Sequence, residues 1–140
     1  MWYGSNVAWG RQKSDMRHVI KYAESADGIA WQRDNVVAID FDGPGEYAIC
    51  RPCLVKDAGG YRMWFCARGT SYRIWEARSD DGIVWERCRE APAIDVSASG
   101  WDSEMTAYPC VFDHQDVRYM FYAGNGFGRT GFGLAVWEPS

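Results

Sequence analysis

The sequence predicts an all-β chain built from repeated four-stranded antiparallel sheets, and three recurrences carry that expectation. The first is Ser25-Ala26-Asp27-Gly28-Ile29-Ala30-Trp31, which returns 54 residues later as Ser79-Asp80-Asp81-Gly82-Ile83-Val84-Trp85. Each copy sets Asp-Gly between strand-like segments, a strong short-range hairpin signal. The second is an apolar strand led by methionine: Met1-Trp2-Tyr3-Gly4, Met63-Trp64-Phe65-Cys66 and Met120-Phe121-Tyr122-Ala123, spaced by 62 and 57 residues. The third sets Arg51-Pro52-Cys53-Leu54-Val55 against Tyr108-Pro109-Cys110-Val111-Phe112, again 57 apart. Recurrence at about 40–50 residues is the range of propeller blades, and somewhat longer intervals suit four-stranded blades with long loops. The expected architecture is a partial β-propeller of about three blades (incomplete, complete, incomplete). It forms one domain over residues 1–140, with units near 1–46, 47–103 and 104–140.

Taken in order, residues 1–5 read as a strand, 6–17 as a polar loop and 18–24 as a second strand. The Asp27-Gly28 turn delivers a third strand over 29–33, and a loop rich in Asp, Gly and Pro follows over 34–46. The middle unit is complete, with strands over 47–55, 61–67, 72–79 and 83–88. A second long loop, 89–103, leads to strands over 105–112, 118–124 and 131–137. No stretch carries a helical period of 3.6. The first unit then lacks its inner strand and the last its outer one, and open sheet edges are usually covered or paired. The chain is therefore expected to be about half of a longer propeller, or to close a ring as a homo-oligomer with another copy of itself.

Composition narrows the function classes. At 47% hydrophobic and 24% charged the chain reads as an ordinary globular domain rather than a disordered one. A net charge of −4 speaks against nucleic acid or an anionic membrane as partner. No apolar run has the length of a membrane span and the first residues do not read as a signal peptide, so a cytoplasmic location is expected. Five cysteines cannot complete a disulfide framework within one chain, which suits that compartment. Cys50 and Cys53 have CxxC spacing, yet three residues apart on a strand means opposite faces, so neither metal nor redox use is expected. His18 and His114 lack the neighbours of a metal site or triad. Gly126-Phe127-Gly128-Arg129-Thr130-Gly131 matches GxGxxG, but a strand rather than a helix follows, so it reads as a hairpin connection and no cofactor is implied.

These phrases together give the chain a family likeness. It resembles the five-bladed β-propeller fold of glycoside hydrolase families 43 and 32 and related glycosidase-like proteins. The likeness rests on Tyr61-Arg62-Met63-Trp64-Phe65, the run 77–85, Gly100-Trp101-Asp102-Ser103-Glu104-Met105, the run 108–113 and the run 119–126. It covers nearly the whole chain and corresponds to the C-terminal half of such a protein. The resemblance implies catalytic acids on the inner strands of successive blades, with the base supplied by a first blade that has no counterpart here. The Ser-x-Asp-Gly-x-x-Trp phrase is also similar to the Asp-box of sialidases, one residue shorter, which implies a hairpin pinned by Asp with Trp packed between blades.

In a propeller the innermost strands line the channel, and ligands collect where those strands begin. That places Glu46, Tyr47 and Arg51 of the middle unit, and Trp101, Asp102, Glu104 and Tyr108 of the third, at the expected site. Glu46 stands six residues before Pro52 and Glu104 five before Pro109, so two acids from adjacent units could face one channel. A carboxylate pair is what glycosidic cleavage needs, at about 5–5.5 Å for retention and about 6.5–9.5 Å for inversion. Plainer roles compete: acids before a strand sit in solvated turns, and Asp102 suits a turn cap. Arg51, Asn125 and Arg129 could fix sugar hydroxyls or a carboxylate, or the arginines could bridge blades. Trp101, Tyr47 and Tyr108 could stack on a sugar or pack in strands. The expected function is a carbohydrate-active protein that binds a saccharide, with Glu46 and Glu104 as catalytic pair. The rival is a non-catalytic sugar-binding or oligomerisation module.

Overall fold

A computed structural model describes residues 1–12 and 15–138. Residues 13 and 14 of the expected polar loop lie outside the described residues. The first group of strands is β1 (Trp2–Ala8), β2 (Arg17–Tyr22) and β3 (Val37–Ile39). The second is β4 (Ala48–Asp57), β5 (Gly60–Arg68), β6 (Tyr72–Ser79) and β7 (Glu86–Arg87). The third is β8 (Ala107–His114), β9 (Val117–Ala123) and β10 (Phe132–Val136), with a four-residue turn of helix, α1 (Asn125–Gly128), inside the last hairpin. Within α1, Gly126 and Phe127 hold φ of 61° and 60°, so the segment is a tight corner and not a regular helix.

The strands join into one seven-stranded sheet, β1 to β7, and one three-stranded sheet in the order β10-β9-β8. Pairing is antiparallel throughout except where β2 meets β4, a parallel contact of a single pair, His18 with Ala48. Among the described residues that bridge is the single strand pairing between the first group and the second.

The middle of the molecule is organised by β5. Alternate side chains of a strand point to opposite faces, and here both faces are covered. Met63, Phe65 and Ala67 join Ile20, Ala38, Ile39, Ile49 and Ala77 in a core shared with β2 and β3. Trp64 packs with Ile74 and Met120 on the other face, and Cys66 with Met105 and Ala107. The dense run Met63 to Ala67 is buried because it serves two cores, and each large apolar side chain there contributes about 1.5–3 kcal/mol.

The two Ser-x-Asp-Gly turns close with the same hydrogen bonds. In the first, Ser25 Oγ accepts from the Gly28 amide at 2.8 Å, and Asp27 Oδ1 accepts from the amides of Ile29 and Ala30, each at 2.8 Å. Ser79 and Asp81 repeat this with Gly82, Ile83 and Val84 at 2.8, 2.8 and 2.9 Å. Trp31 and Trp85 each donate their indole N–H back to the turn glycine's carbonyl. Gly28 and Gly82 hold φ of 72° and 78°, a left-handed conformation that costs glycine nothing. Backbone amides bonded to Asp27 and Asp81 hold both carboxyls below their usual range.

After the turns the copies diverge. Trp85 packs against the Trp2 ring and the core, and β7 follows directly. The strand expected over 29–33 is reduced to a single bridge, Glu24 with Gln32, and Ile29 is 85% exposed. Asn35 then adopts a left-handed φ of 60°, and pairing resumes only at β3. The outer face of the three-stranded sheet carries Phe112, Phe121, Phe132, Leu134 and Val136, all exposed. Phe112 and Phe121 stack with centroids 5.5 Å apart.

Candidate functional site

The two inner strands β4 and β8 carry the same irregularity, and it lies on the Arg51-Pro52-Cys53 and Tyr108-Pro109-Cys110 repeat. The β4–β5 register skips between Cys50 and Cys53, and the β8–β9 register skips between Ala107 and Cys110. Proline cannot donate to a ladder, so a bulge at this place is its natural setting. The residue before each proline is left-handed, Arg51 at φ 57° and Tyr108 at φ 59°. Neither is glycine, so each position costs on the order of 1–2 kcal/mol. Bulges of this kind re-aim side chains and concentrate next to functional sites.

Here they turn Arg51 and Tyr108 toward each other, with the guanidinium 4.8 Å from the ring centroid. Tyr108 in turn stacks on Phe127 of the α1 corner, 5.7 Å between centroids and 25° between planes. Phe127 also meets the edge of Tyr72 at 5.8 Å. Arg68, at the end of β5, lies over Tyr72 at 5.3 Å and over Tyr47 at 5.6 Å. The result is a continuous cluster from Arg51 through Tyr108, Phe127, Tyr72 and Arg68 to Tyr47, with Tyr108 37% and Phe127 48% exposed.

Sulfur holds the floor of this cluster. The bulge frees backbone donors, and the Tyr108 amide donates to Cys66 Sγ at 3.1 Å. One turn of the pleat further on, the Val111 amide donates to Cys53 Sγ, also at 3.1 Å. Cys50 and Cys53 were expected on opposite faces of β4, but they pair with Cys66 and Trp64, which share one face of β5. The bulge between them inserts a residue and resets the alternation, so both thiols face the three-stranded sheet. A hydrogen bond from Cys66, and further from Tyr72 and the charge of Arg51, lowers the Cys50 thiol to about 7. The same bond and burial push the Cys66 thiol up. Burial also raises Tyr72.

Of the residues singled out in the sequence, Tyr47, Arg51 and Tyr108 are brought together. The others are placed differently. Glu46 forms a two-pronged ion pair with Arg87, Oε1 to Nη2 and Oε2 to Nη1 both at 2.8 Å, and also accepts from the Asp42 amide at 2.8 Å. Their side chains are only 13% and 7% exposed. Arg87 lies over Phe65 and Trp75, so this pair sits on the face of the middle sheet turned to β1–β3, away from Tyr108. Glu104 is exposed, and its main chain is what is used: the amide donates to Asn125 Oδ1 at 2.7 Å, and the carbonyl accepts from Ser71 and Arg73. The Glu46 carboxylate is thus held by Arg87, while the bonds of Glu104 are made by its main chain.

Asn125, Trp101 and Asp102 build the support for the α1 corner. Asn125 is buried, accepts from the amides of Glu104 and Met105, and donates to the carbonyl of Gly100. Trp101 packs tilted against Tyr122 at 5.4 Å and lies along Gly124 and Gly133, where a Cβ would collide with its ring. Asp102 is buried and accepts from the Tyr122 hydroxyl at 3.0 Å; burial first, then this bond, raises Tyr122 to about 12. Arg129 is exposed in the same loop as Phe127, beside Gly126. Arg68, Tyr72 and Phe127 were not singled out in the sequence. An available signal was topology: in an antiparallel sheet the end of the second strand and the start of the third lie beside the start of the first, here as Ala48 with Arg68 and Arg68 with Tyr72.

An apolar crevice lined by Trp64, Ile94, Met120 and Trp137 lies elsewhere between the two sheets and contains none of the candidate residues. Among the described residues no three His, Cys, Asp or Glu side chains gather into a set that could hold a metal ion. None of the described helices is long and apolar enough to cross a membrane.

No family model matches the chain. Its sequence is similar to uncharacterised proteins of two Mycobacterium tuberculosis strains, CDC 1551 and H37Rv, at 56% and 55% identity over 138 residues. The alignments cover 99% of this chain and 46% of each relative, so the chain spans about half the length of the curated relatives it matches. Among solved structures it is similar to a glycoside hydrolase at 25% identity and TM-score 0.69, over 99% of this chain and 41% of that one. It is also similar to the Bombyx mori GH32 β-fructofuranosidase BmSUC1 at 16% and TM-score 0.72, over 98% and 31%. A family 117 glycoside hydrolase of Zobellia galactanivorans gives 17% and TM-score 0.71, over 97% and 47%. The fold is a partial β-propeller of the glycosidase-like kind.

Proposed function

We propose that this chain binds a saccharide through the cluster of Tyr47, Arg51, Arg68, Tyr72, Tyr108 and Phe127, and that by itself it does not cleave it. The observation that carries the reading is the open Tyr108–Phe127 stack flanked by Arg51, at the end where both bulged strands begin. Flat rings beside forked donors suit a sugar, which offers apolar C–H faces and a rim of hydroxyls. The names of the solved structures it resembles, glycoside hydrolases, support the same class of ligand. Against hydrolysis stands the place of Glu46: a carboxylate held two-pronged by Arg87 is poorly suited to exchange a proton, and Glu104 then has no partner acid.

Calorimetric titration with oligosaccharides drawn from a glycan-array screen tests this, with aryl-glycoside hydrolysis measured alongside. Binding that weakens on the order of tenfold in Tyr108→Ala, without turnover, is the expected result. Turnover abolished by Glu104→Gln overturns the non-catalytic reading, and failure to bind any glycan overturns the whole.

A second reading concerns assembly, and the exposed aromatic face of β8–β10 favours it. A second copy of this chain covers that face, because a contiguous row of exposed aromatic and aliphatic side chains on one sheet suits a self-complementary contact. Sedimentation of wild type against Leu134→Glu measures it, and a wild-type monomer at micromolar concentration overturns it.

A further inference from the structure

Most partly buried arginines of this protein are matched to a carboxylate: Arg62 holds Glu76, Arg73 reaches Asp95, Arg87 holds Glu46, and Arg118 holds Asp57 and Asp113. Arg17, with no carboxylate among the described residues, donates instead to the carbonyl of Glu46 and lies over Phe41. Arg68 departs from both patterns. It is half-buried, its Nε is shielded with no hydrogen-bond partner, and among the described residues no carboxylate stands within ion-pair distance of it. The Nε atoms of Arg62 and Arg87 are shielded too, but those side chains are anchored by their other nitrogens. Arg68 is anchored by rings alone, Tyr72 and Tyr47. Arg51, likewise without a carboxylate among the described residues, is anchored on Tyr108.

A guanidinium laid on an aromatic face is fixed in place while the N–H donors along its edge stay available, and that edge matches the two oxygens of a carboxylate or phosphate. Two such groups bracket the exposed Tyr108–Phe127 stack. The protein as a whole carries a net charge of −4, so a cationic site here is a local device and not a general attraction for anions. The lowered Cys50 thiol, drawn down in part by Arg51, reports the same positive field.

We infer that the ligand is an anionic sugar, whose ring rests on Tyr108 and Phe127 and whose charged substituent is taken by Arg68 and Arg51. This rests on the saccharide-binding reading above and adds the charge. The shared chemistry is a planar or tetrahedral oxyanion on a sugar ring, whether a uronic carboxylate, a phosphate ester or a sulfate ester.

The test uses the 140-residue chain on an array holding neutral, uronate-bearing, phosphorylated and sulfated glycans. Calorimetry follows on matched pairs, such as oligogalacturonate with its methyl ester and a hexose 6-phosphate with the hexose. The expected result is that the charged member of a pair binds at least about tenfold more tightly, and that the preference shrinks as salt is added. In Arg68→Gln the ratio of charged to neutral affinity falls to about one, whatever the affinity of that variant for the neutral member. Arg51→Gln serves as the second variant, and circular dichroism checks that both fold. Equal binding of charged and neutral members overturns the charge assignment and leaves the saccharide reading intact. A charge preference unaffected by both substitutions overturns the assignment to these arginines. Binding of no glycan at all overturns the saccharide reading and this inference with it. Which charged class binds identifies the oxyanion.

Discussion

The seam between the middle strands and the three-stranded sheet has two ends, and arginine is used differently at each. At the far end Arg118 lies over Trp64 at 5.8 Å and is held two-pronged by Asp57, at 3.0 Å and 2.6 Å, with further bonds to Asp113. At the near end Arg68 and Arg51 lie over tyrosines at similar distances and hold no carboxylate among the described residues. Stacking alone therefore does not separate a structural arginine from a binding one. The presence of a matching acid does: where it is supplied by the fold, the charge is neutralised in place, and where it is missing, the guanidinium edge stays open to an anionic ligand of the kind proposed above.

Breaking a matched pair should cost stability. The largest effect is expected for Glu46→Gln, which leaves Arg87 charged in a site where its side chain is only 7% exposed. Urea denaturation should show a loss of roughly 3 kcal/mol, with sugar binding at the Tyr108 cluster retained. A fully stable variant that had lost glycosidase turnover would restore Glu46 as an acid catalyst.

Arg118→Met should have a smaller effect, roughly 2 kcal/mol at neutral pH, because Asp57 and Asp113 are partly open to water. The hydrogen bonds from Arg118 hold both carboxyls below their ordinary value of 3.8. Groups depressed in the folded state stabilise it above the unfolded pKa, and that contribution is lost as pH falls through the folded value. The gap between wild type and variant should accordingly be full at pH 7 and narrow as pH falls below the ordinary value of 3.8. A gap independent of pH would mean that Arg118 acts by covering Trp64 rather than by charge.

The smallest effect sharpens the comparison from the unmatched side. Arg51→Gly removes a side chain that holds no acid and relaxes a φ of 57°, so a gain of roughly 0.5–1 kcal/mol is expected together with weakened glycan binding. Thermal unfolding and titration of the same sample check both. Destabilisation would show that the Arg51–Tyr108 contact is itself structural.

Much of the fold was legible because its signals are local. Both Asp-Gly turns form from seven consecutive residues, and the Met63 to Ala67 run is buried whatever its partners, so turns and strands could be placed from neighbours in sequence. The third strand was not, since the same turn at Trp31 lacks the Trp2 contact that seats Trp85, and the backbone leaves the ladder at Asn35. The site was half legible. Proline at 52 and 109 marked the right strand ends, but the left-handed residue before each has no sequence signature in Arg or Tyr. The ion pair of Glu46 was not legible because its partner lies 41 residues away on β7, nor was the clamp of Asn125, which depends on where loop 100–105 passes.

The thiols of Cys53 and Cys66 take the amides of Val111 and Tyr108 on the edge strand β8, soft acceptors standing where a carbonyl ladder would otherwise run. Between the two sheets the joint is accordingly sewn here with weaker thread than a backbone ladder. The contact of Tyr108 with the middle strands therefore rests on stacking and a thiol rather than on a ladder, and so it yields more readily than a paired strand would.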